Sequence, residues 1–453
     1  MLSIGLDIGT TSICGILHDA TTGEIYKTCT LSNDTFLETA NDWEKTQDTK
    51  RILDILTSVL DELLEETTSV VSIGITGQMH GIVYLNADGE PVSPLVTWQD
   101  GRGNLIYENG MTYAEYMTQK TGYPLATGYG SVTFCYDMVN RIVPKNAVTF
   151  CTIHDLAAMK LAGNKTPLIH SSDAASMGLF DIEKNCFDKK AVEKLGLRYS
   201  MFPNICNDFI VLGIYRDIPV SVAIGDNQAS FLGSVSDMEE SMLVNVGTGS
   251  QISCLTHSLP TNRHLDCRPL LKGNYIVAGS SLCGGRAYAM LEKFFREIAK
   301  LVSGIPIESA YPVMNKLMEN YSASTEPVLV DTTFSGTRVN PQKRGSIHNI
   351  GINNLDMASF CDGFMCGIVK ELQDMFCEIE SYLTEEKLFM IGSGNGIRNN
   401  VALRAKFEKS FGLKMKIPLH KEEAAFGASL YALVTSGVYS DIVEAQKLIK
   451  YIE

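Results

Sequence analysis

Leu6-Asp7-Ile8-Gly9-Thr10-Thr11-Ser12 and, about half the chain later, Val244-Asn245-Val246-Gly247-Thr248-Gly249-Ser250 share one pattern: apolar residue, Asp or Asn, β-branched residue, Gly, Thr, small residue, Ser. Each copy reads as a strand, a glycine turn and a return strand, with residues 13–17 completing the first and residues 251–255 the second. Similar letters in a similar setting imply two related lobes. A hairpin of this kind suits phosphate, because glycine lets the backbone approach closely while successive N–H groups and threonine hydroxyls supply donors without bulk. Either copy taken alone also reads as an ordinary hairpin turn.

Around the first copy, residues 2–8, 13–17 and 24–31 predict an antiparallel meander. Apolar positions at helical spacing predict a helix over residues 47–66, and a buried strand follows at 69–76, so the class is mixed α/β. Residues 77–130 form a long polar and aromatic stretch of the kind that carries a site. A helix near 187–197 and a strand at 220–224 lead to the second copy. At 453 residues the chain exceeds the ~250–300 at which one core stops growing, so two domains are expected, 1–238 and 239–453.

Composition narrows the classes. Apolar residues at 45% and charged residues at 20% describe an ordinary globular chain. With 38 Lys+Arg against 52 Asp+Glu the net charge is −14, which repels nucleic acid and anionic membranes, so neither is an expected partner. The start of the chain has no cationic leader pattern, and no apolar run approaches the ~18 residues of a membrane span. The 12 cysteines include no CxxC pair, which fits reduced, mostly buried thiols in a cytoplasm.

Several segments can carry chemistry. Asp7 adds a carboxylate beside the first hairpin, where it could hold a hydrated Mg²⁺; Asn245 in the second copy could not do so equally well. Ile391-Gly392-Ser393-Gly394-Asn395-Gly396 follows the strand at 388–391 and precedes a helical pattern at 401–411, a nucleotide-binding layout in which Asn399 could reach the nucleoside. It matches neither the dinucleotide nor the Walker pattern. Asp226 follows the strand at 220–224, where a carboxylate can take a proton from a substrate hydroxyl, or simply cap a helix. His80 sits between Gly77 and Gly81 in a chain that bends close to something, unless it is a surface-loop histidine. Trp98-Gln99-Asp100-Gly101-Arg102 is the mixture sugar sites use, or a turn whose Trp98 packs into the core. His154-Asp155 and Asp173-Ala174-Ala175-Ser176 read as helix caps, and Lys421-Glu422-Glu423 as a solvated face.

Taken in order, Asp7-Ile-Gly-Thr-Thr-Ser12, Gly77-Gln-Met-His-Gly81, Gly225-Asp-Asn227, Asn245-Val-Gly-Thr-Gly249, Gly392-Ser-Gly394 and Glu423-Ala-Ala-Phe-Gly427 resemble the FGGY carbohydrate kinases of the actin/chaperone-ATPase/sugar-kinase superfamily. Leu95–102, 126–130, Thr152-Ile-His-Asp155 and Ser172-Asp-Ala-Ala-Ser176 are most similar to the sedoheptulokinase branch. The resemblance implies two RNase H-like, actin-like ATPase domains with a central cleft for ATP, Mg²⁺ and sugar, and transfer of the γ-phosphoryl to a terminal hydroxyl of a ketose. It implies Asp226 as base and Asp7 as the metal-associated acid. Thr10, Thr11, Ser12, Gly247, Thr248 and Gly249 would hold phosphates, and Gly392, Gly394 and Asn399 the nucleoside. Gln78, Met79, His80, Trp98, Asp100 and Asp155 would face the sugar, with Asp226. A homodimer stays open. The segment 129–140 lacks the lysine common in the family, which counts against a xylulokinase, and Ser393 replaces a common glycine. Other ketose or polyol kinases, and a nucleotide-switch protein of the superfamily, are the alternatives.

Overall fold

Ile4, Leu6 and Ile8 alternate along β1 (Leu2–Ile8) and are fully buried, which puts Ser3, Gly5 and Asp7 on the opposite face. The computed structural model describes residues 1–65, 67, 69–260, 265–319, 321–322, 325–337, 340 and 342–452. β1 pairs antiparallel with β2 (Ser12–Asp19), which pairs antiparallel with β3 (Ile25–Ser32). The helix expected from residue 47 is α1 (Thr49–Leu64), started by the Asp48 side chain accepting from the Lys50 and Arg51 N–H groups. It buries Ile52, Leu56, Val59, Leu60 and Leu63. β4 (Val70–Gly77) then returns parallel to β1.

The long stretch after β4 leads to α2 (Ile153–Leu161) and α3 (Ser171–Met177). The helix expected at 187–197 is shorter, Lys189–Lys194. β5 (Val211–Tyr215) and β6 (Ile218–Ser221) follow, and the strand expected at 220–224 is split between β6 and β7 (Ile224–Gly225) before α4 (Asp226–Ser234) begins. The sheet runs β5-β6-β4-β1-β2-β3, with β7 also pairing β4.

The second copy builds β8 (Ser241–Val246) and β9 (Ser250–Thr256) as an antiparallel pair, and β9 pairs antiparallel with β10 (Asn274–Ser281). After α5 (Gly284–Ser303) and α6 (Met357–Glu380), β11 (Phe389–Ser393) lies parallel to β8. α7 (Val401–Phe411) and β12 (Met415–Pro418) follow, and β13 (Tyr451–Ile452) pairs with β12. The path β10-β9-β8-β11 therefore repeats β3-β2-β1-β4 in order and direction. No helix among the described residues is long and apolar enough to cross a membrane.

The chain divides into two compact units. The first is Met1–Ser236 with Arg268–Gly273 and His420–Lys450; the second is Asp237–Cys267, Asn274–Leu419 and Tyr451–Glu453. A single cut at 238/239 thus differs from the contacts, because the helix Glu423–Thr435 lies on the first sheet. A Cβ at Gly5 would stand 1.8 Å from the Ala425 carbonyl oxygen, and one at Gly74 would stand 1.9 Å from that of Ala428. Gly5 and Gly74 are paired in register, so the two strands together present a side-chain-free floor to the helix. Gly74→Ala is expected to cost about 1–3 kcal/mol, since the opposing atom is backbone and cannot swing away. A urea titration checks it, and an unchanged midpoint would overturn the packing account.

Candidate active site

Parallel register brings the first acids together. Asp7 on β1 is opposite Thr76 on β4, and Thr76 is opposite Ile224 on β7. The Thr76 hydroxyl donates to the Ile224 carbonyl at 2.7 Å, tying β7 to β4. Asp226 opens α4 two residues later, so both carboxylates stand at the carboxyl ends of parallel strands, where open α/β sheets place their sites.

The Asp7 carboxyl is pushed up to about 7, first by burial, then by the charges of Asp226 and Glu422. Burial also raises Asp226, while Arg268 and His154 oppose the rise, and the Asn227 amide donates to its Oδ1 at 3.2 Å. Glu422 corrects the solvated-face expectation for 421–423: it is half-buried and is the N-cap position of the helix that rests on Gly5 and Gly74. Sequence spacing held no sign of this, because the acid is brought to Asp7 by the return of the chain from the other half.

A polar network surrounds the first glycine turn. Trp98 Nε1 donates to Thr10 Oγ1 at 3.0 Å, and Thr10 Oγ1 is 3.5 Å from Gln78 Oε1. Gln78 Nε2 donates to Gln47 Oε1 at 2.9 Å, and Gln47 Nε2 donates to the Thr10 carbonyl at 3.0 Å. Gln47 is fully buried and absent from the sequence-based set; a lone amide before a helix carries no motif. Trp98 is 46% exposed, which removes the core-packing alternative and presents an anchored indole face to solvent. Thr11 is exposed and Ser12 half-buried at the same turn.

His80 adopts a positive φ of 76° and stacks on Tyr129 with centroids 4.8 Å apart and planes 6° apart. Its Nδ1 lies 2.6 Å from the Ser176 carbonyl oxygen. Met79 is buried, with its sulfur 3.9 Å from the Asn227 amide nitrogen. Asp100 differs from its expected place. It is 0% exposed, accepts from the Lys45 N–H and from Arg102 Nε at 2.9 and 2.7 Å, and so anchors the 97–102 loop instead of facing a ligand. Arg102 draws it inward by also binding Asp137. Asp155 is likewise enclosed, receiving the Thr152 hydroxyl at 2.7 Å.

In the second unit, Gly247, Thr248 and Asn399 line one cavity of about 620 Å³. Its walls include Arg286, Tyr288 and Leu403, which lie on α5 and α7 and have no motif of their own. The first turn of α5 is clamped to the hairpin: Gly285 and Arg286 N–H groups donate to the Gly247 and Thr248 carbonyls, both at 3.0 Å. Gly249, Gly392 and Gly394 are not among the cavity's lining residues. Gly394 turns the chain at φ 82° beneath it, and a Cβ at Gly392 would strike Met415 and Ile397 in the core. Ser393 receives the Asn245 amide at 2.8 Å. The volume and mixed lining suit a small polar ligand with one apolar face.

The first unit thus carries acids at parallel strand ends, and the second a ligand-sized cavity beside a glycine hairpin. Residues 2–233 match the N-terminal domain model of the FGGY family of carbohydrate kinases, and the chain belongs to that family. Among curated relatives, the sedoheptulokinase of Mus musculus is 25% identical over 480 residues, covering 95% of this chain and 97% of that protein. Among solved structures, ligand-bound xylulose kinase from Lactobacillus acidophilus superposes with TM-score 0.84 at 18% identity, over 100% of this chain and 93% of that one. Plasmodium falciparum glycerol kinase with ADP gives TM-score 0.83 at 19% identity, over 99% and 92%.

Because the folded Asp7 carboxyl holds its proton up to about 7 and an unfolded one only to 3.8, its ionisation works against folding as pH rises between those values. Asp7→Asn is therefore expected to stabilise the metal-free protein at pH 8 by about 1–2 kcal/mol, a figure discounted for partial solvent access. The gain should vanish near pH 4. Chemical denaturation with a chelator present checks this, and a gain independent of pH would contradict it.

Proposed function

We propose that this carbohydrate kinase transfers the γ-phosphoryl group of ATP to a terminal hydroxyl of a ketose, with sedoheptulose the leading substrate. The meeting of Asp7 and Asp226 at the ends of two strands that both pair with β4 carries the mechanism. The likeness to a sedoheptulokinase along nearly all of both chains supports the sugar.

Asp226 is the base. Its carboxylate takes the hydroxyl proton as the sugar oxygen bonds to phosphorus and the P–O bond to ADP breaks, the electron pair leaving with ADP. A base must be ionised to act, and Arg268 and His154 favour that state against burial. Asp7 fits Mg²⁺: a carboxyl whose proton affinity is raised by burial and two acid neighbours is one that a hard cation stabilises. Bound there, the ion supplies charge neutralisation to the phosphates.

Thr10, Thr11 and Ser12 in the first unit and Gly247, Thr248 and Gly249 in the second hold phosphates through backbone N–H groups and hydroxyls. The cavity takes the nucleoside, with Asn399 on its wall and Gly392 and Gly394 shaping the turn behind it. Trp98 and His80 offer an aromatic face and a ring edge to the sugar, Gln78 and Met79 set the floor, and Asp100 holds the loop in place. A nucleotide-switch protein has no use for an exposed indole anchored this way.

A panel of ketoses and polyols with ATP, scored by ADP release over a no-sugar blank, tests the substrate. Sedoheptulose is expected to give the highest kcat/KM, and preference for glycerol or xylulose would reassign it. Asp226→Asn is expected to lower kcat by about 10³-fold or more while ATP still binds, and near-normal turnover would remove Asp226 as base. Ala289→Trp fills the cavity from its half-buried rim and is expected to weaken ATP at least about tenfold without unfolding the chain, read as loss of the ATP-dependent melting shift.

A further inference from the structure

A nucleoside polyphosphate brings several negative charges to a chain whose own net charge is −14, and neither glycine hairpin supplies a counter-charge: residues 6–17 and 241–255 contain no lysine or arginine. Of the described residues lining the cavity of about 620 Å³ in the second unit, Arg286 alone is charged. It is exposed, and its guanidinium makes no ion pair among the described residues.

The start of α5 fixes where that cation stands. A Cβ at Gly284 would lie 2.3 Å from the Gly249 carbonyl carbon, and one at Gly285 would lie 2.2 Å from the Gly247 carbonyl oxygen, so the helix begins with two glycines pressed on the hairpin backbone. Arg286 is the first residue of α5 with a side chain, and its own N–H is held by the Thr248 carbonyl at 3.0 Å. Helical Cα–Cβ bonds tilt toward the helix N-terminus, which starts the Arg286 side chain back toward the hairpin. Thr248, exposed at the hairpin tip, lines the same cavity.

This helix start is costly without a ligand. Cys283 at the N-cap position gives no side-chain hydrogen bond, the first turn holds no acid, and Arg286 sets a positive charge at the positive end of the helix dipole. The Gly285 and Arg286 N–H groups are already given to hairpin carbonyls, so the guanidinium is the large unspent donor at this corner. An anion there answers both the unpaired cation and the uncapped helix, and a guanidinium fork matches phosphate oxygens two at a time. Asn245 stands where the first hairpin has Asp7, so the second hairpin brings no acid of its own to repel it.

We infer that Arg286 is a specificity residue of the nucleotide site: its guanidinium receives the phosphate tail, so that the cavity selects a nucleoside polyphosphate over a bare nucleoside. Tyr288, Asn399 and Leu403 on the same wall offer aromatic, amide and apolar surface but no charge, which suits the nucleoside and leaves the phosphates to Arg286 and the hairpin.

Equilibrium dialysis of labelled ADP and labelled adenosine against the full chain, with Mg²⁺ present, tests this. Arg286→Gln is expected to weaken ADP at least about tenfold and to leave adenosine within about twofold, because the amide keeps the cavity wall and loses the charge. Arg286→Lys, which keeps the charge without the planar fork, is expected to fall between parent and Gln variant. Ligand-free, the Gln variant is expected to melt no lower than the parent, since the arginine has no partner to lose and opposes the helix dipole. Unchanged ADP affinity, equal weakening of ADP and adenosine, or a ligand-free variant that melts several degrees lower overturns the inference. The inference rests on the cavity taking the nucleotide, and the two fail separately. No binding of ADP to the parent removes that reading and this one with it; equal binding to parent and Arg286→Gln removes only the role of Arg286.

Discussion

The close seating of the helix Glu423–Thr435 on Gly5 and Gly74 is the constraint on which the first unit depends. Helix backbone meets strand backbone at a separation that would leave a methyl group under 2 Å from a carbonyl oxygen. The same helix meets α4 where a Cβ at Gly427 would stand 1.8 Å from the Ala229 carbonyl oxygen. One element therefore sets the height of β1 and β4 and the position of α4. Asp7, Thr76 and Asp226 inherit their places from it, and Glu422 at its start is drawn toward Asp7.

That arrangement costs stability. Acids gathered at strand ends, with burial raising Asp7 and Asp226, oppose the folded state at neutral pH. Around Arg102 buried charge is neutralised within the chain. Asp100 and Asp137 are both tied to Arg102, which holds the 97–102 loop in place and leaves Asp100 enclosed.

The repeated hairpin was legible because it depends on local rules. A β-branched residue, glycine and threonine at a strand end define the turn wherever they occur, and the two copies prove to have matching strand paths. Strand β11 and helix α7 were legible for the same reason. Gln47, Glu422, Arg268 and the cavity residues Arg286, Tyr288 and Leu403 were not, since each acquires its role only by meeting a distant segment. The surface reading of Lys421-Glu422-Glu423 went wrong because a run of charge looks alike on a solvated face and beside a buried acid.

The order of motifs by itself determined the family and the two-lobe α/β class and singled out Asp7 and Asp226, because strand, turn and helix signals act over a few residues and survive without context. Tertiary structure alone decided which of the singled-out side chains are available. It enclosed Asp100 and Asp155 and exposed Trp98. Burial and charge at those positions come from sheet register and from a helix contributed by the far end of the chain, and neither is encoded in the spacing of neighbouring residues.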